Sequence, residues 1–164
     1  MVEFKVARKQ DIVKIQKIAE QTWWSAYSSI LSSEQIQYML DTLYSEEALL
    51  AIIKDYEQEL VILYENNLEN GFACYGKRPE NEFIYKLHKL YVLPSHQKRG
   101  FGRLILNEII TRLHSINIHT LELNVNRNNP AKLFYKKLGF QIMTEEDIPI
   151  GPFWMNDYVM RLEF

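Results

Sequence analysis

The spacing of apolar positions predicts a chain that alternates short strands with amphipathic helices. Residues 2–7 alternate as a strand, and apolar residues then recur every three or four positions, which predicts a helix with Asp11 as its N-cap. Two more helices are predicted after Ser32, which has Gln35 at the spacing of a capping box, and after Ser45. The first third of the chain is therefore predicted to be one strand followed by helices.

Strand patterns dominate the middle of the chain. Residues 60–64 and 72–75 flank a turn at 66–71 and are typical of a hairpin, in which we expect Gly71 to supply a positive φ. A third strand is predicted over residues 83–93. The middle of the chain is thus predicted to begin with an antiparallel pair.

Strand and helix patterns alternate in the last part. After a helix that starts near residue 101 and a strand at 121–125, we expect Asn128 or Asn129 to cap a helix that Gly139 ends. Two strands follow. Because a helix connects the strands at 83–93 and 121–125, they should be parallel. The predicted fold is α/β, one mixed sheet with helices on both faces, in a single domain over residues 1–164.

Composition supports a packed intracellular protein. Of the 164 residues 47% are hydrophobic, and only 6 Gly and 5 Pro are present, which excludes disordered and collagen-like chains. Cys74 is the single cysteine, so no internal disulfide forms, and no clustered Cys and His residues indicate a metal site. With no long apolar run or signal core, we expect no membrane association and a cytoplasmic location.

Charge is distributed unevenly along the chain. Residues 1–82 carry a net charge of −6 and residues 83–164 a net charge of +4. No acidic residue lies between Glu82 and Glu108, whereas five Lys and Arg residues do. The segment indicates a bound anion or, alternatively, a solvated basic face. Nucleic acid is disfavoured because the sequence pI is about 6.1 and no array of stacking aromatics is present.

The most informative segment is the turn after the third strand. A strand runs here into a helix start, where unpaired N–H groups and the helix dipole favour an anion. Gly100 and Gly102 allow close approach of the backbone, and nearby basic residues add charge. A dinucleotide fingerprint would need Gly in place of Ile105, and a P-loop would need Gly-Lys-Ser/Thr, so both are excluded. A plain structural turn is the remaining alternative.

Two blocks carry a family resemblance. The turn Gln97-x-x-Gly100-x-Gly102 resembles the Q/R-x-x-G-x-G/A signature of the GNAT superfamily of N-acetyltransferases. Residues 124–140 resemble the strand and helix that follow in the family, which read N-x-x-A-x-x-F/L-Y-x-x-x-G-F. The resemblance covers residues 83–164. It implies about seven mostly antiparallel strands, with a central parallel pair splayed apart for CoA.

The resemblance also implies a site for acetyl-CoA as cosubstrate, with no metal. The pyrophosphate would lie on the turn, and the pantetheine would pair with the backbone of the strand before it. Asn124 and Asn128 would meet the pantetheine amides, while Ala131 and Phe134 would border the cofactor. The residues expected in the turn and strand are Leu90, Tyr91, Val92, Gln97, Lys98, Arg99, Gly100, Phe101, Gly102 and Arg103.

Two side chains are candidates for the chemistry. Tyr135 matches the family tyrosine beside the CoA sulfur, where a phenol can protonate the leaving thiolate; a core tyrosine is the alternative. His88 is the candidate base, because period-two alternation places it on one strand face with Lys86, Leu90 and Val92. An ordinary half-buried histidine is the alternative. A backbone N–H near Val92 would meet the oxyanion.

These features predict an acetyl-CoA-dependent N-acetyltransferase that acts on a small primary amine or a polyamine. A peptide or protein amine, and a non-catalytic CoA-binding module, are the alternatives. Trp23, Trp24 and Tyr27 lie where family members build the acceptor wall, although core packing is also expected of at least one tryptophan. The acidic run Glu145-Glu146-Asp147 could attract a cationic amine or be solvated loop charge. Because relatives are often dimers, the resemblance allows a homodimer.

Overall fold

One seven-stranded sheet runs through the computed structural model, which describes every residue from Met1 to Phe164. In chain order the elements are β1 (Val2–Val6), α1 (Ile12–Tyr27), α2 (Ser33–Leu43), α3 (Glu46–Lys54), β2 (Gln58–Glu65), β3 (Leu68–Arg78), β4 (Asn81–Val92), α4 (Phe101–Ser115), β5 (Thr120–Asn126), α5 (Ala131–Lys137), β6 (Gln141–Ile150) and β7 (Phe153–Glu163). The strands lie in the order β1-β2-β3-β4-β5-β7-β6, and only the β4–β5 pair is parallel. The predicted mixed α/β sheet is therefore confirmed.

Local capping signals fix most helix ends. The hydroxyl groups of Ser32 and Ser45 each accept an N–H of the following helix at 3.1 Å, as predicted. Gly139 ends α5 with a φ of 98°, also as predicted. Asp11 lies at the start of α1, but its carboxylate accepts the N–H of Arg8 at 2.9 Å and so closes the preceding turn.

The β2–β3 hairpin turns on residues other than the predicted glycine. Asn66 and Asn67 adopt φ values of 51° and 67° and form a two-residue connection, a conformation that asparagine tolerates. The prediction that Gly71 supplies the positive φ was wrong, because Gly71 lies within β3. A Cβ on Gly71 would stand 2.8 Å from the carbonyl oxygen of Tyr91, so this glycine permits close packing of strands.

The sheet separates two apolar cores. Helices α1, α2 and α3 pack on one face, where Ile15, Ile36 and Leu49 are fully buried. Helices α4 and α5 pack on the other face, with Ile109 and Tyr135 among the buried residues. We call these the α1 face and the α4 face. The prediction of helices on both faces is confirmed.

The parallel strands separate at one end. Pairing between β4 and β5 extends from Ile84 opposite Thr120 to Leu87 opposite Leu123. Beyond that point β4 continues to Val92 and β5 continues to its last residue without pairing with each other. The carboxyl ends of the two strands therefore border an open cleft, which confirms the splayed parallel pair.

A β-bulge in β4 changes which side chains share a face. Leu87 pairs with Tyr75 and Lys89 pairs with Cys74, so His88 is an extra residue in the ladder. Leu87 and Leu90 consequently both pack on the α4 face, although three positions separate them. The alternation that placed His88 on the face of Leu90 and Val92 was wrong, because the bulge interrupts it.

The helices are short. The longest, α1, has 16 residues, and no helix combines the length and the apolar content that a bilayer crossing requires.

Candidate active site

The turn between β4 and α4 is shaped by two residues in left-handed conformations. Lys98 has a φ of 63° and Gly100 a φ of 84°, and α4 begins at the next residue. The Gln97 side-chain amide donates to the carbonyl of Val92 at 3.1 Å and so holds the turn against the strand end. Because the first N–H groups of a helix have no intrahelical acceptor, the start of α4 offers free donors for an anion.

The two sequence blocks meet in space at this turn. The ring of Phe134, on α5, lies against Gly102, in the first turn of α4. Gly100 has open space around it, so its glycine serves the backbone conformation, whereas Gly102 permits the close approach of α5. Ala131 packs half-buried on the same side of the sheet. These contacts make one wall of the cleft.

The basic residues of the turn differ in whether they form an ion pair. Arg99 donates to the Glu65 carboxylate at 2.9 Å, and its guanidinium lies 4.9 Å from the centre of the Phe101 ring. Lys98 and Arg103 are exposed and form no ion pair. Glu65 comes from β2, so a segment without acidic residues in sequence still has a carboxylate beside it in space. The Phe101 side chain itself is buried in the core.

The end of β4 offers backbone groups to the cleft. Leu90 and Val92 direct their side chains to the α4 face, and Tyr91 packs on the α1 face. The backbone edge of these residues that would face β5 has no strand partner. Unpaired strand edges of this kind accept an extended ligand as an added strand.

Tyr135 is buried beside the cleft. Its ring packs edge-on against Phe134 and Phe140, at centroid distances of 5.2 and 5.5 Å. Its hydroxyl group makes no hydrogen bond within the protein. Burial, and next the neighbouring Tyr27 hydroxyl, raise the pKa of Tyr135, so the phenol stays protonated at neutral pH. A protonated hydroxyl without a partner is a ready hydrogen-bond donor.

Aromatic residues cluster in the core of the α1 face. The rings of Trp23 and Tyr27 are 4.5 Å apart, and the Trp23 indole donates to the Tyr44 hydroxyl at 3.1 Å. Trp23 is buried, which agrees with the core role expected for one tryptophan, and Trp24 is partly buried at the edge of the same core. The ring of Tyr91 packs against this cluster, with its centre 6.2 Å from that of Trp23.

His88 lies at the bulge with its side chain exposed and without a hydrogen-bond partner. Desolvation of the charged imidazole by the surrounding protein lowers the pKa of His88 to about 4, and the charges of Lys86 and Lys89 contribute next. The imidazole is therefore neutral at pH 7, but it is a weaker base than an ordinary histidine.

Asp157, on β7, is an acidic residue that the sequence interpretation did not single out. Only 6% of it is exposed, and its Oδ1 atom has no hydrogen-bond partner. Burial raises its pKa, while the Asn124 amide, 3.5 Å from Oδ2, opposes the rise. The period-two alternation of β7 could have revealed it, because Asp157 lies two residues from each of the buried residues Met155 and Val159 and so shares their face of the strand.

The predicted asparagines lie on β5 and in the loop after it, and the acidic run lies on β6. The Asn124 side-chain amide donates to Glu146 at 3.0 Å, so it points toward carboxylates. Asn128 is exposed, and its backbone N–H donates to Asn126. The acidic run divides between the two sides of β6: Glu146 pairs with Asp157 across the strands, whereas Arg127 binds Asp147 at 2.8 Å and Glu145 at 3.6 Å.

Comparison with known families and curated proteins finds acetyltransferases. The model of the acetyltransferase (GNAT) domain matches residues 56–142. The [ribosomal protein bS18]-alanine N-acetyltransferase of Haemophilus influenzae is 38% identical over 78 residues, which is 48% of this chain and 51% of that protein. The L-methionine sulfoximine/L-methionine sulfone acetyltransferase of Salmonella typhimurium is 27% identical over 110 residues, 63% of this chain and 64% of that protein. The chain thus aligns with only half to two thirds of these relatives.

Two further comparisons extend over most of the chain. The spermidine N(1)-acetyltransferase of Thermoplasma acidophilum is 26% identical over 149 residues, 86% of this chain and 89% of that protein. Among solved structures, the PaiA N-acetyltransferase of Thermoplasma acidophilum in complex with coenzyme A has a TM-score of 0.85 at 23% identity, covering 100% of this chain and 99% of that one. The structural likeness shows a shared fold over the full length.

Proposed function

Because the chain belongs to the GNAT acetyltransferase family, we propose that it transfers an acetyl group from acetyl-CoA to a primary amine by direct attack on the thioester. One arrangement carries the proposal. Strands β4 and β5 diverge at their carboxyl ends, α4 follows β4, and α5, which follows β5, carries Tyr135, whose hydroxyl group makes no hydrogen bond within the protein. These features are the parts that a thioester of a diphosphate-bearing coenzyme requires.

The residues around the cleft fit coenzyme A. Free N–H groups in the first turn of α4, with the exposed cations of Lys98 and Arg103, suit a pyrophosphate. The unpaired backbone edge at residues 90–92 suits the amides of pantetheine. Ala131 and Phe134 border the same space, and the Asn124 and Asn128 contacts to the coenzyme stay predictions.

The chemistry needs a neutral amine, stabilisation of the oxyanion and a proton for the leaving thiolate. A backbone N–H near Val92 is positioned for the oxyanion as a fixed dipole. Tyr135 donates its proton to the thiolate, since its raised pKa keeps the phenol protonated. His88 stays a predicted base, although its lowered pKa limits the driving force for taking a proton from an ammonium group.

We propose a small cationic amine or polyamine as the acceptor. The spermidine acetyltransferase aligns over most of both chains, whereas the alanine acetyltransferase aligns over about half of each. Carboxylates on the α1 face, from Glu146 and Asp157, complement a positive charge. The N-terminal amine of a protein is the second candidate, because the relative of higher identity is named for that reaction. The free, buried thiol of Cys74 suits a reducing compartment, and we propose the cytoplasm.

An amine panel tests the proposal. Release of CoASH from acetyl-CoA is followed with a thiol reagent for spermidine, putrescine, free amino acids and a peptide with N-terminal alanine, and calorimetry measures acetyl-CoA binding. We expect binding and the highest kcat/KM with a polyamine. A preference for the alanine peptide would favour the second candidate. Binding without turnover of any amine would indicate a non-catalytic CoA-binding module, and absence of binding would overturn the proposal.

A further inference from the structure

We propose that Asp157 binds the ammonium group of the acceptor and takes the proton that must leave before the amine attacks. The inference deepens the proposed function and rests on it. It assigns a catalytic role to a side chain of β7, outside the coenzyme-binding turn and outside the strand that carries His88.

The position of Asp157 places its carboxylate beside the cleft. Asp157 pairs with Asn126, three residues beyond Leu123, where the pairing of β5 with β4 ends. Asp157 lies two residues after Met155 on β7, so its side chain is on the same face of the strand as that of Met155, which packs on the α1 face. Burial, and to a lesser extent the Asp157 carboxylate, raise the pKa of Tyr27 on the same face. Asp157 is thus on the aromatic side of the sheet, at the open end of the strands.

The hydrogen-bonding state of this site calls for a donor. Asp157 is 6% exposed, its Oδ1 has no partner, and its Oδ2 has one long contact of 3.5 Å to Asn124. The Asn124 Oδ1 atom is also buried and unpartnered. Buried carboxylate and amide oxygens without partners are costly, and both atoms accept but cannot donate. An ammonium group has three donors and a positive charge, and therefore satisfies both.

The charged groups around Asp157 leave it available. Lys86 of β4, Arg127 after β5, Glu146 of β6 and Tyr27 of α1 face it from the packed elements. Neither Lys86 nor Arg127 places a cationic nitrogen in an ion pair with its carboxylate. Burial raises the pKa of Asp157, which makes the carboxylate a better proton acceptor than an exposed one.

The proposed step balances in atoms and charge. One N–H bond of R–NH3⁺ breaks as its proton bonds to Asp157 Oδ1, and the nitrogen lone pair attacks the thioester carbon. The C–N bond forms, the C–S bond breaks, and the thiolate takes the phenolic proton of Tyr135. The second proton lost by the nitrogen restores the phenol through solvent, and Asp157 releases its proton to water. The net products are the amide, CoASH and one proton.

The test is Asp157→Asn, with Asp41→Asn as the matched control. Asp41 is exposed on α2 and forms no ion pair, and the same chemical change is made there. Loss of general-base catalysis lowers rates by about 10²–10⁴-fold. We expect kcat/KM for spermidine at pH 7 to fall at least 100-fold in Asp157→Asn and by less than threefold in the control. The deficit should narrow as pH rises toward the pKa of the amine, because less ammonium then needs deprotonation.

Two readouts separate this role from a structural one. Calorimetry should give an unchanged Kd for acetyl-CoA and at least tenfold weaker spermidine binding to the Asp157→Asn complex with CoASH. Thermal unfolding should show an equal or higher Tm, because the variant removes an unpaired buried charge. A lower Tm with impaired acetyl-CoA binding would overturn the proposal in favour of a structural role.

The outcomes distinguish the two proposals. If the wild type neither binds nor acetylates spermidine or any amine of the panel, both proposals fail. If the wild type acetylates an amine and Asp157→Asn keeps its kcat/KM within threefold, only the role of Asp157 is overturned. A loss that is the same at every pH would also overturn the proton-transfer role.

Discussion

Gly102 and Phe134 fix how closely α4 and α5 approach each other: a Cβ on Gly102 would stand 3.2 Å from the Cζ atom of Phe134. That separation is shorter than most carbon contacts, so the ring would have to move by a few tenths of an ångström. The contact joins the turn expected to hold the pyrophosphate to the helix that carries Tyr135. Its geometry therefore bears on both halves of the proposed coenzyme site.

Gly102→Ala should separate binding from stability. Alanine favours a helix interior by up to about 1 kcal/mol over glycine, so we expect no loss of Tm. The family signature admits alanine at this position, but in this chain Phe134 would be displaced, so we expect CoASH binding to weaken by about tenfold, which corresponds to about 1.4 kcal/mol. Calorimetry measures the affinity. Leu104→Ala, at an exposed position on α4, is the control and should bind normally. Wild-type affinity in Gly102→Ala would show that the contact does not shape the site.

Glu65→Gln should tighten coenzyme binding. The substitution removes a negative charge beside the turn and releases the Arg99 guanidinium from its ion pair. Exposed pairs are worth about 0.2–1 kcal/mol, so we expect a gain of up to about fivefold in CoASH affinity at low salt. The gain should disappear in high salt. Glu69→Gln, on the same hairpin and without an ion pair, is the control; an equal gain there would contradict the specific role of Glu65.

Tyr135→Phe should lower kcat while acetyl-CoA affinity stays within twofold. The phenol has no hydrogen-bond partner in the protein, so its removal leaves packing intact. Loss of a positioned proton donor costs about 10²-fold or more. Steady-state kinetics and calorimetry measure the two quantities. Tyr158→Phe, in the same core, should retain activity. An unaltered kcat in Tyr135→Phe would remove this residue from the mechanism.

His88 should make stability depend on pH. Its pKa falls from 6.5 to about 4 on folding, so the unfolded chain binds more protons between these values. The free energy of unfolding is therefore expected to decrease as pH falls through this window, with a slope reduced by the exposure of the ring. Urea unfolding at pH 7 and pH 4.5 should show the decrease in wild type and a smaller one in His88→Ala. His114→Ala is the control.

The same variant compares two candidate bases. We expect His88→Ala to keep the acidic limb of the kcat/KM profile, since we assign the proton to Asp157. A limb near pH 4 that disappears in His88→Ala, and persists in Asp157→Asn, would assign the base role to His88 instead.

Much of the fold could be predicted because its signals are local. Helix caps depend only on residues within one turn of the helix end, so the sequence correctly predicted those at Ser32, Ser45 and Gly139. The crossover between β4 and β5 follows from the helix that connects them, which leaves few other topologies. The two blocks that resemble the GNAT family are also contiguous in sequence, so the resemblance could be found without a structure, and it was the resemblance that implied acetyl-CoA.

The errors and omissions arose where distant segments meet. Glu65 reaches Arg99 across 34 positions, which no local charge count detects. The bulge at His88 depends on the ladder with β3, and one extra residue reverses the side of every later residue. The surroundings of Asp157 could not be predicted, because they depend on the pairing of β7 with both β5 and β6. In the β2–β3 hairpin, Asn66 and Asn67 adopt the positive φ values that the sequence analysis had assigned to Gly71.

The division of the interior by the sheet has a consequence for divergence within the family. The matched family model spans residues 56–142 and so leaves out α1, α2 and β7, which all lie on or contribute to the α1 face. Mutations of the side chains that these elements present to the α1 face leave the packing of α4 and α5 intact, and under our proposal they would reshape the acceptor side. Libraries confined to these three elements should therefore yield variants with new amine preferences that still retain the coenzyme.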